Sequence, residues 1–187
     1  AFAADMDAYY WDNDESEVAI AGANGALVSN HSYGFTRGWS TKDGDIAWYG
    51  NPNVDASEDY LFGFYNSSSR DWDQIAYDAP YLLMCKSAGN DRNDDENGTL
   101  GHWVYNGGWV WSTADRNPDG EYVCIGVRGV CKNNLTRAAV NDIPGGYSDP
   151  SDVVMSSFSS WGPADDGRIK PDISANGVSL YSSGHDS

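Results

Sequence analysis

The stretch YLLMCKSAGN, residues 81–90, decides the fold class of this chain. Its first half is a continuous apolar run of strand length, and it follows a helical pattern that Pro80 ends. Such a run predicts a strand covered on both faces, as in a parallel sheet. The small residues that follow leave room for another chain or a substrate to lie alongside. Because open α/β sheets carry their sites at the carboxyl ends of strands, we expect a cleft there.

The same alternation of helix and apolar strand continues on both sides of this stretch. The segment SSSRDWDQIAYD predicts a helix with Trp72, Ile75 and Ala76 on one face. The capping-box pattern that begins at Asp55 predicts a second helix. The remaining predicted elements are a poorly periodic helix within 1–23 and strands at 26–30, 134–140 and 172–183. This order favours an α/β domain built on a mainly parallel sheet.

The charge balance excludes one class of partner. The chain of 187 residues has 28 acidic and 11 basic residues, which gives a net charge of −17. Such a surface repels phosphate backbones, so the sequence argues against nucleic-acid binding. No apolar run approaches the roughly 20 residues that span a bilayer, so we expect no membrane partner. The acidic excess fits a secreted protein, a salt-adapted protein or a cation binder.

Residues 91–132 are polar, rich in glycine and aromatic residues, and without clear periodicity. They predict an acidic, aromatic-rich surface loop or insertion with a few short strands. Within them, HWVYNGGWVW (residues 102–111) could form a face that stacks on sugars, but packing against the main body is favoured. Cys124 and Cys131 are close enough for a small disulfide loop, and two free thiols are equally compatible with the sequence.

Two acidic segments are candidate calcium sites. DRNPDG places Asp115, Asn117 and Asp119 at alternate positions before a glycine, which is how a calcium loop begins. The glutamate expected six residues after that glycine is missing, since Gly126 stands there. DRNDDENG, residues 91–98, is similar without the glycine in place. A solvated acidic loop is favoured in both cases, so we expect no required cofactor, with calcium as the one candidate.

A complete nucleophilic site cannot be assembled from these residues. The three histidines are His31, His102 and His185, and no Gly-x-Ser-x-Gly segment occurs. His31, in SNHSYG, is favoured as a structural turn residue over a catalytic base.

Four segments, in this order, resemble the subtilisin-like serine proteases. They are SNHSYG (residues 29–34), KSAGND (86–91), LTRAAVND (135–142) and FSSWGPADDGRIKPDISANG (158–177). The resemblance implies a three-layer fold with a mainly parallel β-sheet flanked by helices. It implies that residues 1–187 are the central part of one catalytic domain, with 91–132 as an insertion. In the family this part lies between the histidine and serine motifs, so the catalytic Asp, His and Ser are expected outside the chain.

The resemblance also implies roles for individual residues. Asn90 would donate its side-chain amide to the oxyanion of the tetrahedral intermediate. Ser32, Tyr33 and Gly34 would pair with the substrate backbone. The wall of the pocket for the residue before the scissile bond would be formed by Ser87, Ala88 and Gly89.

The implied activity is that of a secreted serine endopeptidase, at the surface of or outside a bacterial cell. Its partners would be a peptide or protein substrate and the remaining segments of the same protease. Two alternatives stay open: an inactive pseudoprotease that binds peptides, and an acidic calcium- or glycan-binding domain.

Three residues depart from the family pattern. Arg137 stands where an apolar residue is usual in a buried strand, and a buried lone charge is costly. Ser174 and Asn176 interrupt positions that are commonly apolar residue and proline. These departures favour a relaxed core.

Overall fold

The structure, a computed structural model, describes residues 5–95, 101–116 and 120–180. Two helices are described, α1 (Asp14–Ala23) and α2 (Ser67–Asp78). The strands, in chain order, are β1 (Val28–His31), β2 (Trp39–Lys42), β3 (Asp45–Trp48), β4 (Leu83–Ser87), β5 (His102–Tyr105), β6 (Trp109–Ser112), β7 (Leu135–Val140) and β8 (Ile173–Asn176).

Four parallel strands form the first sheet, in the order β1-β4-β7-β8. His31 of β1 lies opposite Lys86 of β4, and Ser87 of β4 lies opposite Arg137 of β7. The strands predicted from the apolar runs are therefore present. Together with the two helices they confirm the α/β class with a mainly parallel sheet.

Both helices pack on this sheet through one apolar cluster. Val18 of α1 and Trp72 of α2 meet Leu82, Met84 and Cys131 there. The predicted face of α2 is confirmed, because Ile75 and Ala76 pack against the same cluster. No helix among the described residues has the length and hydropathy needed to cross a membrane.

The two helices begin differently: α2 begins at a capping box, whereas α1 follows a 3-10 turn. Asn66 caps α2: its side chain accepts a hydrogen bond from the Ser69 amide at 3.3 Å, and the Ser69 hydroxyl accepts one from the Asn66 amide at 3.2 Å. The helix predicted within 1–23 is confirmed only from Asp14 onward, after a single 3-10 turn at Trp11–Asn13.

The helix predicted from Asp55 is wrong. The Asp55 carboxylate does accept bonds from the Ser57 and Glu58 amides, at 2.8 Å and 3.2 Å, but no helix follows. Such side-chain bonds stabilise an isolated turn as well as a helix start. The chain instead becomes extended at Phe62, which pairs with Gly126 in a β-bridge.

A second sheet, which the sequence analysis did not predict, has the order β2-β3-β5-β6. Strands β2 and β3 form a hairpin in which Lys42 pairs with Asp45 around Asp43 and Gly44, both with positive φ. Strand β3 pairs in parallel with β5, and β5 pairs antiparallel with β6. The buried face of this sheet is a cluster of Trp39, Trp48 and Val104.

The aromatic residues of β5 and β6 cover the other face of the second sheet. Trp103 packs edge to face with Trp111, and Tyr105 with Trp109, at centroid distances of 5.4 Å and 5.6 Å. Trp111 and Tyr105 remain more than half exposed. The alternation confirms packing for one face only, and the sugar-stacking interpretation of the other face stays a prediction.

Residues 91–132 are only in part a surface loop. The expected short strands are β5 and β6, but residues 124–131 belong to the core, since Ile125, Val130 and Cys131 are fully buried. Whether 91–132 is an insertion stays a prediction. The cysteines Cys85, Cys124 and Cys131 are free and buried, which decides between the two alternatives in favour of thiols. Burial raises the pKa of Cys131 to about 12.

The expected buried charge at Arg137 is wrong. Its side chain is only partly buried, and its guanidinium donates a hydrogen bond to the Asn30 side-chain oxygen. Ser174 is exposed, and Asn176 donates to the Asp142 carboxylate at 2.7 Å. None of the three departures places an unpaired charge in the core.

Candidate functional site

A cleft of about 440 Å³ lies at the carboxyl ends of β1 and β4. Its walls are the segment after β1, the segment at the end of β4, and residues 126–129. Because β1 and β4 are parallel neighbours, the chain leaves both strands on the same side of the sheet. The cleft therefore occupies the place that the parallel topology predicts.

The seven residues to which the resemblance assigns oxyanion-binding or substrate-binding roles all line this cleft. They are Ser32, Tyr33, Gly34, Ser87, Ala88, Gly89 and Asn90. The structure thus brings two segments that are more than 50 residues apart onto facing walls.

Gly89 shapes the turn that presents Asn90. Its φ is +117°, and a Cβ at this position would lie 2.7 Å from both the Asp91 carboxylate and the Ser160 hydroxyl. Both the conformation and the close approach require glycine. The turn leaves the Asn90 side chain exposed on the wall of the cleft.

The serine-rich segment that follows a 3-10 turn at Pro150–Asp152 holds this wall in place. Ser160 donates its amide to the Gly89 carbonyl at 3.1 Å, and its hydroxyl accepts from the Asp91 amide at 2.9 Å. The same hydroxyl donates to the Asp91 carboxylate at 3.2 Å. These contacts bracket Asn90, so Ser160 fixes the backbone on both sides of it. Sequence reasoning did not identify this role.

Ser159 supports the neighbouring strand rather than the cleft wall. Its buried hydroxyl accepts from the Ala139 amide of β7 at 2.9 Å. The sequence predicted a strand at 172–183. The structure shows a turn, in which the Gly162 amide donates to the Lys170 carbonyl at 3.0 Å, followed by one strand, β8.

Asp91 adjoins Asn90 and is partly buried. Burial raises the pKa of its carboxyl to about 6, and the nearby charge of Asp94 acts in the same direction. An ionised carboxylate is therefore less stable here than in water.

A buried network supports the opposite wall. Tyr33 donates its hydroxyl to the Asp14 carboxylate at 3.0 Å, and His31 Nδ1 lies 2.7 Å from the Tyr33 oxygen. His31 Nε2 lies 3.0 Å from the Ser29 hydroxyl, and burial lowers the pKa of His31 to about 4. A histidine so depressed and doubly bonded is neutral at pH 7 and serves structure, in keeping with the expectation from sequence.

Three cations line the cleft and were not anticipated as site residues: Arg37, Lys86 and Arg128. Arg128 pairs with Asp14, and with Glu15 at 3.0 Å. Lys86, 6% exposed, donates to the Tyr33 carbonyl at 2.6 Å and the Ser87 hydroxyl at 3.2 Å, and burial lowers its pKa to about 8. Lys86 therefore connects the two walls. A lysine inside the apolar run of β4 was the available signal, since such a position normally excludes a charge.

The other candidates from the sequence lie away from the cleft or outside the described residues. His102 is buried in the second sheet, where its Nε2 accepts from Arg116 at 2.8 Å. Of the calcium candidates, Asp115 is described, whereas Asn117 and Asp119 lie outside the described residues, as does His185. Within the described ranges no three acidic, histidine or cysteine side chains converge as a metal site would require.

Comparison with known proteins assigns the chain to a family. The family model described as the subtilase family, of the S8 peptidases, matches residues 4–187. No curated protein matches the chain at the significance required.

Proposed function

Because the chain belongs to the subtilase family of serine peptidases, we propose that it is a segment of a secreted serine endopeptidase and contributes the oxyanion-hole amide and the substrate-binding edge. The observation that carries this proposal is the convergence of Ser32, Gly34, Ser87 and Asn90 on one cleft.

Asn90 supplies electrostatic stabilisation in this proposal. Its exposed side-chain amide donates a hydrogen bond to the oxyanion that develops when the substrate carbonyl is attacked. Because Gly89 and Ser160 fix the backbone around it, the point from which this side chain enters the cleft is set before the reaction begins. Such preorganised donors act where charge develops and cost no reorganisation at that moment.

The walls of the cleft position the substrate. The backbone of Ser32, Tyr33 and Gly34 pairs with an extended peptide, which adds a strand along this edge. The opposite wall of Ser87, Ala88 and Gly89 receives the side chain before the scissile bond. The nucleophile and the base come from the remaining segments of the same protease, as the resemblance implies, and His31 serves the network with Tyr33 and Ser29.

This chemistry requires no cofactor. A location at the cell surface or outside the cell belongs to the proposal as the resemblance implies it. Calcium at Asp115, Asn117 and Asp119 is the one candidate ion, from the spacing of these residues alone, and a solvated acidic loop is favoured there. An inactive relative that only binds peptides would have the same cleft. Hydrolysis and fluorophosphonate labelling distinguish it from an active protease.

The test uses the complete protease and the variant Asn90→Ala. We expect kcat to fall roughly 10²–10³-fold, the magnitude known for such a donor in a subtilisin, with little change in KM. Asn93→Ala, an exposed residue three positions further on, is the matched control and leaves kcat unchanged. Equal kcat values for Asn90→Ala and the wild type would contradict the assignment. Peptide binding without hydrolysis, and without labelling by a fluorophosphonate, would identify an inactive relative.

A further inference from the structure

The cleft contains a buried cation whose hydrogen-bond partners are uncharged. Lys86 Nζ donates to the Tyr33 carbonyl and the Ser87 hydroxyl, and lies 3.5 Å from the Ser87 carbonyl. Lys86 takes part in none of the ion pairs formed among the described residues. A charge that is removed from water without a counter-charge is costly, and such groups are concentrated at functional sites.

A second cation stands at the same cleft. Arg37 follows the Ser32–Gly34 wall and is partly buried. Its Nε lies 4.0 Å from the position that a Cβ would take on Gly126, which lines the cleft as well. Arg37, too, forms no ion pair within the described part of the chain.

The other charged groups of the cleft are Arg128, Asp91 and Asp94, and the charge of Asp91 acts on both Lys86 and Arg37 without forming an ion pair with either. Arg128 is neutralised by Asp14 and Glu15. The Asp91 carboxylate accepts from the Ser160 hydroxyl, and Asp94 is exposed at the rim. Lys86 and Arg37 are therefore cations of the cleft that form no ion pair with a described carboxylate, in a chain whose net charge is −17. Two cations without an ion pair at one cleft point to a ligand that carries a carboxylate.

We infer that the protease prefers substrates with glutamate or aspartate before the scissile bond, and that Lys86 and Arg37 recognise this carboxylate. The inference rests on the proposed function, because it assigns an occupant to the wall formed by Ser87, Ala88 and Gly89. When this carboxylate binds, it replaces one of the uncharged hydrogen-bond partners of the Lys86 ammonium with a charged one. Charge-assisted hydrogen bonds are stronger than neutral ones, and complementary charge excludes wrong partners.

The test compares peptides that differ only in the residue before the scissile bond, which is Glu, Gln, Leu or Lys. With the complete protease we expect kcat/KM for the Glu peptide to exceed that for its near-isosteric Gln counterpart roughly tenfold or more. The ratio of two substrates in one preparation does not depend on the fraction of folded enzyme. It therefore remains interpretable for variants that fold poorly.

Variants assign the preference to the two cations. In Lys86→Met, which keeps the length and apolar stem of the side chain, the Glu-to-Gln ratio falls toward one. In Arg37→Gln it falls in part. Arg70→Gln removes the same charge from the exposed face of α2 and leaves the ratio unchanged.

Two results separate this inference from the proposed function. Cleavage of the Leu and Gln peptides without preference for Glu overturns the inference alone, as does a preference that survives in both Lys86→Met and Arg37→Gln. If no peptide is cleaved and a fluorophosphonate does not label the protein, the proposed function and the inference fail together.

Discussion

The parallel and the second sheet of this molecule use their apolar residues in different ways. In the parallel sheet Met84 and Cys85 of β4 are buried, whereas Leu83 at the start of the strand is 44% exposed, and the residues just beyond β1 and β4 form the cleft. In the second sheet aromatic residues alternate between a buried cluster and a half-exposed face. Only Trp39 and Ser40 of its strands reach the cleft. The comparison indicates that the first sheet positions chemistry, whereas the second stabilises one side of the site.

The second sheet is tied to the main core through a short segment. The Gly38 amide donates to the Asp59 carboxylate at 3.0 Å, and Gly63 donates its amide to the Ile125 carbonyl at 2.8 Å. Because the two sheets have these separate roles, we expect substitutions in the second sheet to lower the free energy of unfolding and substitutions around Asn90 to lower kcat.

The largest effect is expected for Trp48→Ala in the second sheet. Trp48 is 1% exposed, so its truncation leaves a cavity and should lower the free energy of unfolding by ~3–5 kcal/mol. Chemical denaturation measures this loss, and kcat per folded molecule should be unchanged. Trp111→Ala, on the half-exposed face of the same sheet, is the control and should cost clearly less. A collapse of kcat with intact stability would show that the second sheet takes part in catalysis.

Ser160→Ala should have an intermediate effect, on both stability and activity. The substitution leaves the Asp91 amide without its acceptor and frees the backbone beside Asn90, at a cost of ~1–3 kcal/mol in stability. Misplacing Asn90 should lower kcat roughly tenfold. Ser159→Ala removes an equally buried hydroxyl that supports β7, so it should lower stability without lowering kcat. If the two variants change kcat equally, Ser160 does not position Asn90.

The ionisation of Asp91 should make stability depend on pH. Its pKa is raised from 3.8 to about 6 in the folded protein, so the folded state binds the proton more tightly than the unfolded chain. Its contribution to the free energy of unfolding is therefore present below pH 3.8 and is lost as the pH rises through 6. Asp91→Asn removes this loss, so the variant should gain on the order of 1 kcal/mol over the wild type between pH 4 and 7.

Denaturation of both proteins at a series of pH values measures that difference. Asp5→Asn, at an exposed position, is the control and should show no such gain. A stability difference between Asp91→Asn and the wild type that is constant with pH would contradict the assignment.

The smallest effect is expected for Ser156→Ala. The Ser156 hydroxyl is buried and has no hydrogen-bond partner among the residues that the structure describes. Its removal should leave the free energy of unfolding unchanged or raise it by up to about 1 kcal/mol, in contrast with Ser160→Ala. Thermal denaturation separates the two, and a loss as large as that of Ser160→Ala would be the contrary result.

The parallel sheet was predictable because a continuous apolar run has few other uses. Strand β4 (Leu83–Ser87) and the α2 face around Trp72 could be identified from the sequence for this reason. The Asp55 segment was misinterpreted because a side-chain cap stabilises a lone turn as readily as a helix.

The second sheet and the support of the cleft were harder to predict. The Asp43–Gly44 turn was a usable hairpin signal, but its strands are only four residues long. The pairing of β3 with β5 joins segments that are far apart in sequence. The same holds for Ser160 and Asp91, whose contact spans 69 residues, so no local pattern reports it.

The role of Asn90 is tested most directly by a crystal structure of the complete protease covalently bound to a peptidyl phosphonate inhibitor. We expect the phosphonyl oxygen to lie about 2.7–3.1 Å from the Asn90 side-chain nitrogen, with the peptide paired along Ser32, Tyr33 and Gly34. An inhibitor bound elsewhere, or an Asn90 amide turned away from the phosphonyl oxygen, would contradict it.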